Sequence, residues 1–298
     1  IEVIEDKKTE NKKDSTSNKQ TKKEKKTYHL EYKLGGKELT IIDTKKQGKR
    51  PWEKWANISP DSSIVLYGKN YNIYWMDQLN FKKFIKDDKD TTIVENQWTK
   101  DGQENYGYTG SGRGQDNVDK EKNSEKRKGV WGTWSYDSKK FVFQKSDSRH
   151  IKDLWVINST GKKRPTLETY KYHMPGEQEY YKAELLIFDI QTKTHLKIPL
   201  DTTLQQSLNV FRAPRKQSNN DDDFQPTTLL SKKGKVYFSV ISRDRKKYDV
   251  CVADINTGEY KVLIQERFNT YIESRPLILL NNEQDMLHWA ERDGWAHF

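Results

Sequence analysis

Short runs of alternating apolar and polar residues recur along the chain, and each begins at a tight polar turn. The runs share one order of elements: turn, strand, polar hairpin and strand, with a further turn and strand in the fullest copy. Four copies are visible: ISPDSSIVLYGKNYNIYWMD (58–77), WSYDSKKFVFQKSDSRHIKDLWVIN (134–158), SKKGKVYFSVISRDRKKYDVCVADINTGEYKVLIQE (231–266) and NNEQDMLHWAERDGWAHF (281–298). Alternation with a period of two indicates strands, and Asn256-Thr257-Gly258 indicates a hairpin turn.

This recurring order of turns and strands predicts an all-β fold made of β-propeller blades of about four antiparallel strands each, with insertions between copies. No segment shows a sustained helical period. A β-sandwich is the structural alternative, but it does not require the same sequence of turn and strands to recur. The chain is therefore predicted to form an incomplete arc of a larger propeller, with about four blades.

Two regions differ in composition. Residues 1–26 form a charged, low-complexity segment, predicted to be disordered or a loop insertion, because Asp6–Lys26 contains no apolar residue to bury. Residues 27–298 form the predicted partial propeller, which begins with two short strands around Gly35-Gly36.

Composition limits the classes of function. The net charge is +10, which favours an acidic partner such as nucleic acid. The excess lies largely in two polar runs without aromatic residues, Asp6–Lys26 and Lys120–Lys128, so we interpret both as solvated loops and expect no nucleic-acid partner. There is no apolar run near the roughly 18 residues that span a membrane. Cys251, the only cysteine, lies on an alternating strand and is predicted to be buried and structural.

A search for catalytic motifs finds none. There is no G-x-S-x-G nucleophile motif, and TGSGRGQD (109–116) lacks the Lys-Ser/Thr of a phosphate loop. The six histidines are scattered, and the acidic run Asp221–Asp223 is interpreted as a solvated loop rather than a cation site. The sequence by itself predicts no catalytic residue, no cofactor and no metal site in this chain.

The amino-acid sequences of several segments resemble the propeller of the dipeptidyl peptidase IV branch of the prolyl oligopeptidase family. The resemblance is greatest to bacterial members. The similar segments occur in the family's order from about residue 51 to residue 298: the first two copies above, WTKDGQENYGYTG (98–110), RPTLETYKYHMPGE (164–177), ELLIFDIQT (184–192) and WAERDGWAHF (289–298). In that family a propeller of about eight blades precedes an α/β-hydrolase domain with the catalytic Ser, Asp and His. The resemblance implies that this chain is a non-catalytic part that gates and positions a peptide substrate, and that the catalytic domain is absent from it.

The resemblance also suggests substrate-binding residues. The family binds the substrate's amino group with a Glu-Glu pair, but no such pair occurs here, and Glu104 is the only glutamate in DGQENYGYTG. YIESRPL (271–277) is similar to a propeller segment near the substrate, which suggests Arg275 and Glu273 as further candidates. An exposed blade loop is the alternative interpretation of that segment. Four tryptophans are predicted to pack between blades: Trp131, Trp134, Trp155 and Trp289.

Other expectations rest on the family alone. Relatives are usually exported, which implies a periplasmic or extracellular location, and the full-length parent is a possible homodimer. The alternative function, from a different class, is a free-standing propeller-like module that binds a protein or a glycan.

Overall fold

A computed structural model describes residues 53–109, 120, 122–160, 164–201, 206–215 and 225–298, together with the backbone of four strands before residue 43. Two compact units are distinguished: Ile1–Pro51 with Lys216–Phe224, and Trp52–Arg215 with Gln225–Phe298. The first unit contains two antiparallel pairs, β1 with β2 and β3 with β4: β1 (Glu2–Ile4), β2 (Lys25–Thr27), β3 (His29–Lys33) and β4 (Glu38–Ile42). The β3–β4 pair confirms the strands predicted on either side of Gly35-Gly36.

Three four-stranded antiparallel sheets make up most of the described second unit. Sheet A has the order β5 (Asn57–Ile58), β6 (Ile64–Lys69), β7 (Asn72–Asp77), β8 (Asn96–Gln97), with helix α1 (Gln78–Lys86) between its last two strands. Sheet B is formed by β9 (Gly132–Trp134), β10 (Lys140–Asp147), β13 (Lys182–Asp189) and β14 (His195–Lys197). Sheet C is formed by β15 (Gln206–Val210), β16 (Lys235–Ser242), β17 (Lys247–Asp254) and β18 (Tyr260–Arg267).

Two hairpins complete the described part of the second unit. One lies between the second and third strands of sheet B and pairs β11 (Asp153–Asn158) with β12 (Thr166–Lys171). The other follows sheet C and pairs β19 (Ile278–Leu280) with β20 (Asp285–Leu287) around a single 3₁₀ turn (Asn281–Glu283).

The sheets stack in series, so a central sheet buries both of its faces. On β10, Phe141 and Phe143 point into a core shared with sheet A, whereas Val142 between them points into a core shared with sheet C. A third core joins the far face of sheet C to the β19–β20 hairpin. Burial on both faces explains why the sequences of the middle strands are nearly continuous runs of apolar residues. This serial stacking of four-stranded sheets confirms the predicted propeller blades and excludes a two-layer sandwich.

The recurring turn is held by its own side chains. Asp61 Oδ1 accepts a hydrogen bond from the Ser59 hydroxyl, and Asp137 Oδ1 accepts the same bond from Ser135, each at 2.6 Å. The backbone amide of Asp61 donates to the hydroxyl of Ser138 at 3.0 Å, so the turns of sheets A and B are bonded to each other. The Asp-Ser turn therefore acts as a joint between neighbouring blades.

One helix was not predicted. Helix α1 begins after Asp77, whose carboxylate accepts the backbone N–H of Asn80 at 2.8 Å, the ordinary N-cap arrangement. Phe81 and Phe84, three residues apart, are buried on its inner face. The residue pattern did not indicate this helix, because nine residues are too few to show a sustained period.

Two further predictions were wrong in detail. The segment DLWVIN was expected to be the second strand of a blade, but it forms β11 in the separate hairpin, and β13 takes its place in sheet B. Trp134 is fully buried between blades as predicted, whereas Trp131 and Trp155 are 72% and 71% exposed. Trp155 lies on the hairpin, outside the stacked sheets, so its strand cannot contribute to packing between them.

Cys251 is buried on β17 as predicted.

Candidate functional site

Glu104 lies at the tip of a tight turn in the segment that connects sheet A to sheet B. The backbones of Gln103 and Tyr106 exchange two hydrogen bonds of 3.1 and 3.0 Å across the turn. Asn105, inside the turn, has a φ of 65°, a conformation that Asn tolerates better than most residues. This geometry leaves the Glu104 side chain exposed at the tip.

The turn is fixed to both neighbouring sheets. On the side of sheet A, the amide of Gly102 donates to Asn72 Oδ1 at 2.9 Å, and the amide of Tyr108 donates to the carbonyl of Tyr71 at 2.8 Å. On the side of sheet B, the amide of Ser148 donates to the carbonyl of Asn105 at 2.9 Å. The position of Glu104 is therefore set by two blades together.

Replacement of Gly102 by Ala is expected to displace this turn and to lower the free energy of unfolding by about 2 kcal/mol. A Cβ at this position would lie 2.2 Å from the carbonyl oxygen of Tyr71, which is backbone and cannot rotate away. Urea denaturation measures the loss. Gly129→Ala is the control, because the atoms nearest to its new Cβ belong to the Trp131 side chain, at 3.3 Å and beyond, so this change should cost under about 1 kcal/mol. Equal losses in the two variants would contradict the expectation.

A pocket of about 900 Å³ opens beside Glu104, at the base of the β11–β12 hairpin. Its lining combines the Glu104 carboxylate, an ion pair, two aliphatic side chains and a group of aromatic rings. The lining residues are Glu104, Asn105, Lys120, Ser148, Asp153, Leu154, Val156, Thr169, Tyr170, Lys171, Tyr172, His173 and Tyr181. The volume lies at the upper end of the range usual for small-ligand pockets, about 300–1,000 Å³.

Most charges that line the pocket already have partners. Lys171 Nζ lies 3.1 Å from Asp153 Oδ1, and Lys120 Nζ lies 5.5 Å from the centre of the Tyr170 ring. Within the described residues Glu104 forms no ion pair. Its carboxylate thus has no cationic partner among the described residues, whereas the other lining carboxylate, that of Asp153, is paired with Lys171.

Aromatic side chains form one wall of the pocket. The His173 ring lies 5.5 Å from the ring of Tyr180 and 5.6 Å from that of Tyr181, with edge-to-face geometry in both pairs. Its Nδ1 atom is buried and has no hydrogen-bond partner among the described residues. The wall therefore offers apolar faces together with one unused polar atom.

The other two predicted site residues lie outside this pocket. Arg275 forms an ion pair with Glu273, and its guanidinium lies 5.6 Å from the centre of the Trp289 ring. Both side chains are about half exposed, at 52% and 43%. The structure thus pairs Arg275 with Glu273 and does not bring either one into the Glu104 pocket.

The turn between β16 and β17 of sheet C contacts both the aromatic wall of the pocket and the segment that holds Glu273 and Arg275. Arg243 Nη1 donates to the carbonyl of Glu177 at 3.3 Å and its guanidinium lies 5.2 Å from the Tyr180 ring, next to the aromatic wall. Arg245, two residues on, lies 4.6 Å from the Tyr271 ring in the segment that holds the Glu273–Arg275 pair. In an antiparallel four-stranded blade, the turn between the second and third strands and the exit from the fourth strand lie at the same end. All three predicted residues therefore lie at one common end of the blades.

Among the described residues no cluster of His, Cys, Asp or Glu could hold a metal ion. The acidic run Asp221–Asp223 and the glycine-rich run 110–114 lie outside the described residues. The helices of the described part are all too short and too polar to cross a lipid bilayer.

Most residues that line the pocket were not identified from the sequence. Tyr170 on β12, and Tyr172, His173 and Tyr181 between β12 and β13, were not predicted as site residues, because the strand DLWVIN was assigned to a blade. The signal was present: the segment 170–181 contains four tyrosines and a histidine.

Serial four-stranded sheets with a shared end of loops define the class of this protein as a β-propeller. The comparisons give the family: the family model described as the dipeptidyl peptidase IV (DPP IV) N-terminal region matches residues 8–298. The chain belongs to this family. A comparison with curated protein sequences gave no match.

Two solved structures share the fold. Porphyromonas gingivalis dipeptidyl peptidase 4 superposes with a TM-score of 0.54 at 17% identity, covering 81% of this chain and 30% of that one. A putative dipeptidyl aminopeptidase IV from Bacteroides ovatus gives a TM-score of 0.54 at 16% identity, covering 82% of this chain and 29% of that one. This chain thus aligns with just under a third of the length of either structure.

Proposed function

We propose that this chain is the substrate-gating and substrate-positioning propeller portion of a dipeptidyl peptidase-like serine peptidase. In this proposal the Ser, Asp and His residues belong to an α/β-hydrolase domain outside the chain, and the blade ends described above restrict and orient the peptide. Family membership and the two solved structures support the class, and the geometry around Glu104 supports the positioning role.

The observation that carries the proposal is the exposed Glu104 carboxylate beside a large aromatic-walled pocket. A carboxylate accepts charge-assisted hydrogen bonds from an ammonium group, which are roughly twice as strong as neutral ones. The turn around Glu104 is fixed to two blades, so the carboxylate is already in place before a ligand binds. Such preorganisation reduces the free-energy cost of ordering a site on binding. The amino terminus of a peptide is a ligand with this chemistry.

The segment that carries Glu104 offers one unpaired carboxylate to the ligand and not two. Asp101, the other acidic residue of the segment, lies 2.6 Å from Lys145 Nζ and accepts hydrogen bonds of 3.0 and 3.2 Å from the Tyr108 hydroxyl. Its oxygens are therefore engaged within the protein. We propose that the cleavage preference differs from that of relatives with a Glu-Glu pair.

Replacing Glu104 by Gln should weaken binding of a free-amine dipeptide about tenfold, because a neutral amide replaces the charged acceptor. The probe is alanyl-proline amide, titrated into the chain by isothermal calorimetry, and its N-acetylated form serves as the ligand control. Glu259→Gln, an exposed change in a turn at the opposite end of sheet C, is the protein control. If Glu104→Gln and Glu259→Gln bind the free-amine probe equally well, Glu104 does not bind the ammonium group.

Arg275 and Glu273 are proposed to contact a more distant part of the substrate, since they share the blade end but not the pocket. A periplasmic or extracellular location and a homodimer of the full-length parent are proposed from the family alone.

A further inference from the structure

Lys145, on β10, carries an ammonium group that is fully buried, with a side-chain exposure of 0%. Its Nζ lies 2.6 Å from Asp101 Oδ2, 3.4 Å from the centre of the Tyr106 ring and 4.1 Å from the centre of the Tyr108 ring. These three partners belong to the segment that carries Glu104. A buried ammonium is costly unless it is paired, so the segment and the lysine stabilise each other.

A second cation contacts the same ring. The Arg149 guanidinium lies 3.9 Å from the centre of the Tyr106 ring and is itself held by two hydrogen bonds, of 2.9 and 2.7 Å, to the Asp147 carboxylate. The Tyr106 hydroxyl donates to Glu184 Oε2 at 3.0 Å. Burial and this hydrogen bond raise the pKa of Tyr106 to about 12, so the hydroxyl stays a donor at neutral pH. Contacts to the ring face and to the hydroxyl therefore fix Tyr106, two residues after Glu104.

The blade itself does not require a lysine at this position. In sheet C the equivalent position on the second strand, which also faces the preceding sheet, is Val240, and it packs against the apolar core between sheets B and C. The equivalent in sheet A is Lys69, which is 29% exposed. Burial of a lysine ammonium is therefore particular to sheet B, where the Glu104 turn covers the strand.

We infer that Lys145 is a positioning residue: its buried ammonium, bound to Asp101 and to the rings of Tyr106 and Tyr108, fixes the turn that presents Glu104 to the pocket. The inference rests on the proposed function for its purpose, because Glu104 has to bind something for its position to matter. The contacts that fix the turn all lie within the protein. Lys145 itself touches no ligand, and acts only through the turn.

The test compares Lys145→Met with Lys145→Arg in the full 298-residue chain. Methionine keeps the volume and removes the charge, whereas arginine restores a cation that can bind a carboxylate and stack on tyrosine. Lys140→Met is the matched control. Lys140 lies on the same strand at the other end of the blade, and its replacement also removes an ion pair, the one of 2.8 Å to Asp189.

The first measurement is hydrogen exchange of the backbone amides without ligand. In Lys145→Met the amides of Gln103, Tyr106 and Ser148, which bond within or onto the turn, should exchange at least tenfold faster. Those of β17 in sheet C should not change, and Lys145→Arg should restore most of the protection. Unchanged exchange of the turn amides in Lys145→Met, or the same acceleration in Lys140→Met, would overturn the inference.

The second measurement is binding of alanyl-proline amide, at a temperature well below unfolding. Lys145→Met should lose affinity about as much as Glu104→Gln, and Lys145→Arg should recover it. Loss of turn protection with unchanged affinity would overturn the assignment of a positioning role. If the unchanged chain does not bind the probe, the proposed function fails, and hydrogen exchange alone then decides whether Lys145 fixes the turn.

Discussion

Replacement of Asp101 by Asn should lower the free energy of unfolding by about 3 kcal/mol, although Asp101 is itself half exposed. The reason lies in its partner: the Asp101 side chain is 53% exposed, whereas that of Lys145 is 0% exposed. Removing the carboxylate leaves a buried ammonium without its counter-charge. Removing Lys145 instead leaves a carboxylate that water can reach, so Lys145→Met should cost only about 1 kcal/mol.

Urea denaturation of the two single variants and of the double variant measures this asymmetry. The double variant should be more stable than Asp101→Asn alone, because no buried charge is left unpaired in it. An Asp101→Asn variant that is as stable as Lys145→Met would show that the ammonium of Lys145 reaches water by another route.

The same pair predicts how stability depends on pH. Partial burial tends to raise the pKa of Asp101, but hydrogen bonds from Lys145 and Tyr108 and the charge of Lys145 outweigh it, so the pKa lies below its ordinary value of 3.8. A lowered carboxyl pKa contributes stability that is complete above the unfolded value and is lost as the pH falls through the folded value. The unchanged chain should therefore lose this contribution below about pH 4, whereas Asp101→Asn has already lost it at neutral pH.

The fold was predictable where one residue pattern determines one structure. Short, nearly continuous apolar runs indicate the middle strands of the sheets, and turns such as Ser135–Ser138 mark where those strands begin. In that turn the Asp137 carboxylate accepts hydrogen bonds from the Ser135 hydroxyl and from the Lys139 amide. Strand partners were less predictable. DLWVIN alternates like a blade strand, and nothing within it indicates that its partner is β12 and not β10.

The candidate site was predictable only in part, for a related reason. Glu104 was found through a resemblance, since a single exposed glutamate has no pattern of its own. Lys145 could not be found, because the alternation in KFVFQK assigns it to a face of the strand but does not reveal what covers that face. The covering segment lies about 40 residues earlier, and only the fold places its tyrosines around the ammonium.

Trp134→Ala is expected to have the largest effect on stability, a loss of about 4 kcal/mol. The side chain is fully buried and lies 4.9 Å from the Phe141 ring, centre to centre. Its Nε1 donates to Asn57 Oδ1 at 2.7 Å, and the side-chain Nδ2 of Asn57 in turn donates to the backbone carbonyl of Val130 at 2.8 Å. Truncation would therefore leave a cavity between sheets A and B and would also remove the donor to a polar group of sheet A.

Two further variants separate these contributions, with unfolding in urea followed by circular dichroism. Trp134→Phe keeps an aromatic ring and loses the donor, so it should cost about 1–2 kcal/mol, the usual price of an unsatisfied acceptor plus a smaller cavity. Trp131→Ala, three residues earlier and 72% exposed, should change the free energy by less than about 0.5 kcal/mol. If Trp131→Ala is as damaging as Trp134→Ala, the tryptophan between sheets A and B has been wrongly identified. If Trp134→Phe costs as much as Trp134→Ala, the hydrogen bond to Asn57, and not the packing of the ring, joins the two blades.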